Sequence, residues 1–290
     1  MATKVEILAD LPYLAPDRVE KLDLYLPARV GTTLRPGIVW IHGGGWTGGT
    51  KTAARELNIC GILADAGYVV ASIDYRLGAG AWPTNLHDAK NAVRFLRTHA
   101  IKYGIDPSRI AVAGGSAGGH LALLVGFTAD QPEFEPAATY PGVSSRVSAI
   151  IDLYGPTDLL TRQNTDPSGK PNGELRDGGA AKFLGASCEA NPALWRLASP
   201  VTHVTKWSPP VLILHGTADD IVDYEQSVEL AHVLAQAGVL HELVLLEGIG
   251  HTFNFTSWNK QPLPRDVRQI ALDFLTRSWV PESSALPVKK

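Results

Sequence analysis

The apolar positions of the chain fall into two alternating patterns. Short apolar runs recur at Ile38–Ile41, Tyr68–Ile73, Ile110–Ala113, Val147–Tyr154, Pro210–Leu214 and His241–Leu246. Runs of this length, bounded by turn residues, read as strands buried on both faces. Helical spacings separate them, over Thr52–Ala66, Thr84–Tyr103, Ala117–Thr128, Tyr224–Gln236 and Val267–Ser278. The clearest is Thr84–Tyr103, where Leu86, Ala89, Val93, Leu96 and Ala100 share one face and Gly104 supplies the stop. Two further runs, Val5–Leu8 and Val19–Leu26, alternate with period two and predict antiparallel edge strands.

Strands alternating with helices demand right-handed crossovers, so the expected class is α/β: a mostly parallel central sheet covered by helices on both faces. No repeat and no linker divides it. The expectation is one domain over 1–280, with a lid-like insertion at about 161–179 and a frayed tail at 281–290. Asp130–Gly142 and Thr161–Gly179 are rich in Pro, Gly, Asn and Asp. Loops this long inside a compact domain predict lids or binding loops.

Composition narrows the function classes. Hydrophobic residues make up 45% of the 290 and charged residues 19%, which excludes intrinsic disorder for most of the chain. Lys+Arg is 26 against Asp+Glu 29, a net charge of −3, which argues against a nucleic-acid or anionic-membrane partner. No run approaches a membrane span. Met1–Glu6 carry no apolar leader; the expectation is a soluble protein, cytoplasmic as written or secreted if a leader preceded it. The two cysteines, Cys60 and Cys188, are expected as free buried thiols. No H-E-x-x-H or C-x-x-C occurs, so neither metal nor cofactor is expected.

The chemistry concentrates at strand ends. Gly114-Gly115-Ser116-Ala117-Gly118 fits G-x-S-x-G between a predicted strand and a predicted helix, the context of a nucleophile elbow. The helix N-terminus there favours negative charge. His42-Gly43-Gly44-Gly45-Trp46 follows the first buried strand. A serine acyl transfer needs backbone N–H donors for its oxyanion, and glycines let the main chain approach. Gly44 and Gly45 are expected to donate, give or take one position, together with Ala117. The phosphate-cradle alternative lacks a Gly-Lys-Ser/Thr ending.

A nucleophilic serine needs a base, and the base an orienting carboxylate. Of nine histidines, His251 lies in a loop after the sixth buried strand. His87, His99, His232 and His241 fall within regular elements, and His42 and His215 are expected to tether loops. Acid candidates cluster after the fifth buried strand. Asp219 is the first choice and Asp220 the second, with Asp223 expected to cap the following helix. The order Ser116, Asp219, His251 is that of α/β-hydrolases.

At this point the chain resembles the α/β-hydrolase esterases of the hormone-sensitive-lipase-like group, and more closely the small bacterial carboxylesterases that include acetyl xylan and feruloyl esterases. The resemblance rests on Trp40–Trp46, Asp74–Leu77, Trp82-Pro83, Leu86–Ala89, Tyr103–Ile110, Gly115–His120, Tyr154–Leu159 and His215–Asp219. It implies the α/β-hydrolase fold, the triad, and hydrolysis of short-chain or aromatic esters through an acyl-enzyme. The partner would be a small-molecule or carbohydrate ester, for instance acetyl or feruloyl groups on plant cell-wall polysaccharide. It also implies that Trp46, Trp82, Tyr154 and Asp158 stand near the elbow as a substrate-binding rim, the alternative being that they pack the core. The polar lid stretch disfavours long-chain triglycerides. Two other readings stay open: an arylformamidase-like amide hydrolase, and a non-catalytic ligand-binding receptor. The sequence leaves the oligomeric state undetermined.

Overall fold

The computed structural model describes residues 5–28, 33–135, 139–165, 170–176 and 178–279; the predicted tail 281–290 lies outside them. The strands are β1 (Glu6–Leu11), β2 (Leu22–Leu26), β3 (Arg35–Ile41), β4 (Val69–Ile73), β5 (Ile105–Gly115), β6 (Ala149–Leu153), β7 (Gln163–Thr165), β8 (Pro171–Leu175), β9 (Val211–Gly216), β10 (His241–Leu246), β11 (Ser257–Trp258) and β12 (Gln261–Pro262). The helices are α1 (Ala54–Asp65), α2 (Thr84–Thr98), α3 (Ala100–Tyr103), α4 (Ala117–Phe127), α5 (Gly178–Leu184), α6 (Pro192–Leu197), α7 (Glu225–Gln236) and α8 (Val267–Ser278).

Eight strands form one sheet in the order β1-β2-β4-β3-β5-β6-β9-β10. β1 and β2 are antiparallel, as is β2 with β4, and every other neighbouring pair is parallel. The alternation of β3 explains the two cores. Val39 and Ile41 pack on one face with α2, α4 and α7, and Ile38 and Trp40 on the other with α1 and α8. All four are fully buried, which accounts for their continuous apolar run.

The strand order also fixes where a site can form. From β3 the chain crosses to β4 on one side, then returns to β5 on the other. The connections therefore diverge at the C-terminal ends of β3 and β5 and leave a crevice there. The glycine loop after β3 and the elbow after β5 both open into it.

Several expectations are corrected. The helix predicted over Thr84–Tyr103 is two, α2 and α3, divided at His99. The His99 ring Nδ1 bonds the Phe95 carbonyl at 2.9 Å, beside its own N–H at 3.0 Å. Gly104, at φ 68°, is the expected left-handed stop. The described residues of Asp130–Gly142 line no part of the crevice; Glu135 among them pairs Lys90 at 2.7 Å and Arg94, tying the loop to α2. The lid-like stretch forms the antiparallel hairpin β7–β8 and leads into α5. Helices α5 and α6 carried no sequence expectation. Cys60 is buried as expected but Cys188 is only half-buried; the two are not joined in a disulfide.

Candidate active site

The elbow explains its own glycines. Ser116 has φ 57° and ψ −123°, a backbone conformation that L-residues rarely adopt. The turn from β5 into α4 is so tight that a Cβ on Gly114 would stand 2.4 Å from the Gly118 carbonyl, and one on Gly118 would stand 2.0 Å from the Ile41 oxygen. Only glycine fits at either place. The Ser116 N–H is held by the Leu153 carbonyl at 2.8 Å, which pins the strained residue to the end of β6.

Three side chains from separate strand ends converge there. His251 Nε2 lies 3.0 Å from Ser116 Oγ, and His251 Nδ1 lies 2.6 Å from Asp219 Oδ2. Asp219 is fully buried, and its other oxygen accepts from the N–H groups of Ile221 and Val222, both at 2.9 Å. His215 Nε2 stands 3.2 Å from the oxygen facing His251. Burial alone would raise the Asp219 pKa, but the bonds and charges of His215 and His251 outweigh it and hold the carboxyl well below the usual carboxylate range. Burial is also the largest influence on His251 and lowers its pKa; Asp219 opposes that, and Arg55 adds to it. His251 is therefore neutral at neutral pH, with Nδ1–H donated to Asp219 and a free lone pair facing the serine.

The runner-up acids point elsewhere. Asp220 is exposed, and its carbonyl accepts from Arg176 Nη1 at 3.2 Å. Asp223 does not cap α7, which has no side-chain cap; its Oδ2 instead accepts the Gln163 N–H at 3.0 Å.

The glycine loop faces the serine across the crevice. Gly44 sits at φ 125° and Gly45 at φ 58°. A Cβ on Gly44 would collide with the Gly48 carbonyl at 2.2 Å, whereas Gly45 borders open space. Among the described residues, the N–H groups of Gly44 and Gly45 donate to no protein acceptor. Ala117 is the first residue of α4, where a helix leaves its N–H groups unsatisfied. All three residues line the same cavity as Ser116 and His251. His42 braces the loop: its ring meets the Gly43 carbonyl at 2.7 Å and stacks on Tyr75 at 4.4 Å.

The cavity measures about 500 Å³. A second, of about 590 Å³, includes Trp207 and Pro209 and shares no lining residue with it. Of the four expected rim residues, only Trp46 lines the site cavity. Its indole stacks on Phe183 at 4.3 Å, and its Nε1–H donates to His120 Nδ1 at 3.2 Å. His120 donates its other ring nitrogen to the Ala198 carbonyl at 2.7 Å, and burial pushes its pKa down to about 3. This neutral pair makes a rigid aromatic wall.

Trp82 packs edge-on to Phe183 at 6.2 Å, behind Trp46. Tyr154 lies against His251, ring centroids 4.8 Å apart. Its hydroxyl donates to the Phe253 carbonyl at 2.8 Å and accepts from Arg55 Nη1 at 3.1 Å. Asp158 is nearly buried and its Oδ1 caps the Leu160 N–H at 2.8 Å. Trp82 and Tyr154 thus back the site, whereas Asp158 holds the turn after β6.

Sequence reasoning missed His215 as a second partner of Asp219. It also missed Arg55, Arg162 and Arg176, which line the cavity. Trp258 went unnoticed as well; its Nε1–H donates to the His251 carbonyl at 3.1 Å. A single cation at the start of α1, as Arg55 is, or in a loop carries no periodic signal, and only the folded hairpin brings Arg162 and Arg176 to the serine.

Comparison with known proteins agrees with this geometry. The family profile described as BD-FAE matches residues 22–234. Esterase LipC of Mycobacterium tuberculosis is 32% identical over 244 residues, covering 82% of this chain and 58% of LipC. Over the curated relatives first matched, the chain spans about half to three-fifths of their length. Among solved structures, a truncated carbohydrate esterase from gut microbiota superposes with TM-score 0.83 at 29% identity, covering 96% of this chain and 97% of that one. Thermogutta terrifontis esterase 2 phosphorylated by paraoxon gives TM-score 0.73 at 29% identity, over 96% and 95% of the two chains. The fold is that of these α/β-hydrolase esterases.

Proposed function

The chain belongs to the BD-FAE family, and from that premise we propose that it is a serine carboxylic-ester hydrolase working through Ser116, His251 and Asp219. The observation that carries this reading is the continuous hydrogen-bonded chain from Ser116 Oγ through the His251 ring to Asp219, at 3.0 and 2.6 Å.

His251 Nε2 takes the hydroxyl proton as Ser116 Oγ attacks the ester carbonyl carbon. The carbonyl electrons move onto oxygen, and that oxyanion meets the N–H groups of Gly44, Gly45 and Ala117. Each such donor contributes about 10²–10³ in rate. Asp219 keeps the proton of the ring on Nδ1 and stabilises the imidazolium without accepting the proton itself. His251 then protonates the departing alcohol. Water, deprotonated by the same nitrogen, releases the acid and restores the serine.

A cavity of about 500 Å³ with an indole wall suits a short acyl chain or one aromatic ring. Carbohydrate ester substrates are supported by the carbohydrate esterase among the structural neighbours; acetyl or feruloyl groups on plant polysaccharide are the members of that class we propose. The hairpin β7–β8 with the start of α5 serves as the lid-like wall of a single hydrolase domain. No helix of the described residues is long and apolar enough to cross a membrane. The test is Ser116→Ala assayed on p-nitrophenyl acetate: kcat falls by about 10³-fold or more, and unchanged turnover rejects the assignment.

A further inference from the structure

Four cationic side chains are buried among the described residues: Lys51, Lys90, Arg94 and Arg162. Lys51 pairs with Asp23 at 2.8 Å, Lys90 with Glu135 at 2.7 Å, and Arg94 with Glu135. Arg162 is only 6% exposed and has no carboxylate within 4.0 Å among the described residues. Its Nη2 donates to the Ile221 carbonyl at 3.0 Å, and its buried Nε has no partner. A buried cation without a counter-ion is costly, so its retention calls for a cause.

The cause lies beside it. Arg176 N–H donates to the Arg162 carbonyl at 2.9 Å across the base of the β7–β8 hairpin, so the two arginines sit on facing rungs. Arg176 Nη1 bonds the Asp220 carbonyl at 3.2 Å, and among the described residues Arg176 also has no carboxylate partner. Both residues line the cavity that holds Ser116. The third arginine there, Arg55, is compensated by Glu56, 2.7 Å away. Among the described residues Asp223 and Asp219 supply the negative field at Arg162, but their oxygens are engaged by His251, His215, backbone N–H groups and Gln163. Burial, followed by the neighbouring Arg176, depresses the Arg162 pKa to about 10, a penalty that a bound anion relieves.

We propose that Arg162 and Arg176 form an anion subsite in the cavity wall and select esters that carry a carboxylate. This rests on the ester-hydrolase reading and names its substrate class. Two planar guanidinium groups with unused N–H donors match a carboxylate's geometry. The carboxylate can belong to the acyl group, as in a dicarboxylic monoester, or to the alcohol, as in an acylated hydroxy acid or uronic acid.

The experiment compares kcat/KM within two matched pairs. For the acyl side, p-nitrophenyl monosuccinate is set against p-nitrophenyl pentanoate. For the alcohol side, 4-acetoxybenzoate is set against 4-acetoxybenzamide. The wild type is expected to favour the anion by about 10-fold or more in at least one pair, and the pair that responds tells which side carries the charge. In Arg176→Gln and Arg162→Gln that ratio falls toward unity; any common loss from a weakened fold cancels within each pair. Arg176 is the more exposed of the two and keeps the test alive if Arg162→Gln fails to fold. No anion preference in either pair, or a preference that survives both substitutions, overturns the subsite. If the neutral esters are hydrolysed by the wild type and not by Ser116→Ala, the hydrolase reading stands even then. If no ester is hydrolysed, both fall together.

Discussion

Replacing Asp219 by Asn tests how the base is oriented. The carboxylate has no exposed surface and accepts from four donors: Ile221 N–H and Val222 N–H at 2.9 Å, His251 Nδ1 at 2.6 Å and His215 Nε2 at 3.2 Å. An asparagine there keeps its oxygen toward the two backbone N–H groups, since an amide NH₂ cannot accept from them. Its NH₂ must then face His251 Nδ1. That nitrogen becomes an acceptor, the ring proton moves to Nε2, and the lone pair that should face Ser116 is lost. His215 turns wholly to the Val222 carbonyl at 3.0 Å. In a serine triad this wrong tautomer lowers kcat by about 10⁴, or about 5.4 kcal/mol at 1.36 kcal/mol per tenfold. The fold loses one or two charge-assisted hydrogen bonds, about 1.5–3 kcal/mol each, so Tm falls by several degrees but the protein remains folded. Initial rates on p-nitrophenyl acetate, with circular dichroism melts of the same samples, measure both. Asp219→Asn retaining kcat within tenfold of wild type, with Asp220→Asn losing a thousandfold, would refute the assignment of the acid.

Two further predictions concern the elbow and the base. Gly118→Ala puts a methyl 2.0 Å from the Ile41 oxygen and 2.6 Å from the His42 oxygen; both carbonyls belong to backbone that cannot yield cheaply, so soluble protein is expected to lose activity by about 10²-fold or more, consistent with a displacement of about 1 Å. Wild-type kinetics with that variant would contradict the strained turn. The second prediction is a pH profile. His251 must be neutral, and burial lowers its pKa, so kcat/KM is flat at neutral pH and falls as pH drops through a value below the ordinary imidazole pKa of about 6.5. A limb centred above 6.5 contradicts the buried environment. Asp219, held below the usual carboxylate range, stays ionised throughout that limb.

What the sequence made legible was local in kind. The four consecutive apolar residues Ile38–Ile41 announced a strand buried on both faces, and G-x-S-x-G announced a turn in which Gly114 and Gly118 have no room for a side chain. His251 and Asp219 were legible because each follows a strand, and parallel strands deliver their C-terminal ends to one edge. The choice between Asp219 and Asp220 was not local: it turns on which carboxylate faces inward, and Asp219 is buried while Asp220 is exposed. The rim failed for a similar reason. Tyr154 follows β6 as expected, but its positive φ of 43° lays the ring against His251 instead of into the cavity. Phe183, from an unforeseen helix, inserts against Trp46 and Trp82. Arg162 and Arg176 lie fourteen positions apart (176 − 162 = 14) in a stretch without periodicity, and only the hairpin register makes them neighbours.

Covalent labelling examines the nucleophile without reference to any substrate preference. Paraoxon is added in slight excess, residual hydrolysis of p-nitrophenyl acetate is followed, and the digested protein is analysed by tandem mass spectrometry. A diethylphosphoryl adduct on the Ser116 peptide, rising in step with the loss of turnover and absent from Ser116→Ala, is the expected result. Full inactivation with the Ser116 peptide unmodified would contradict the account at its root.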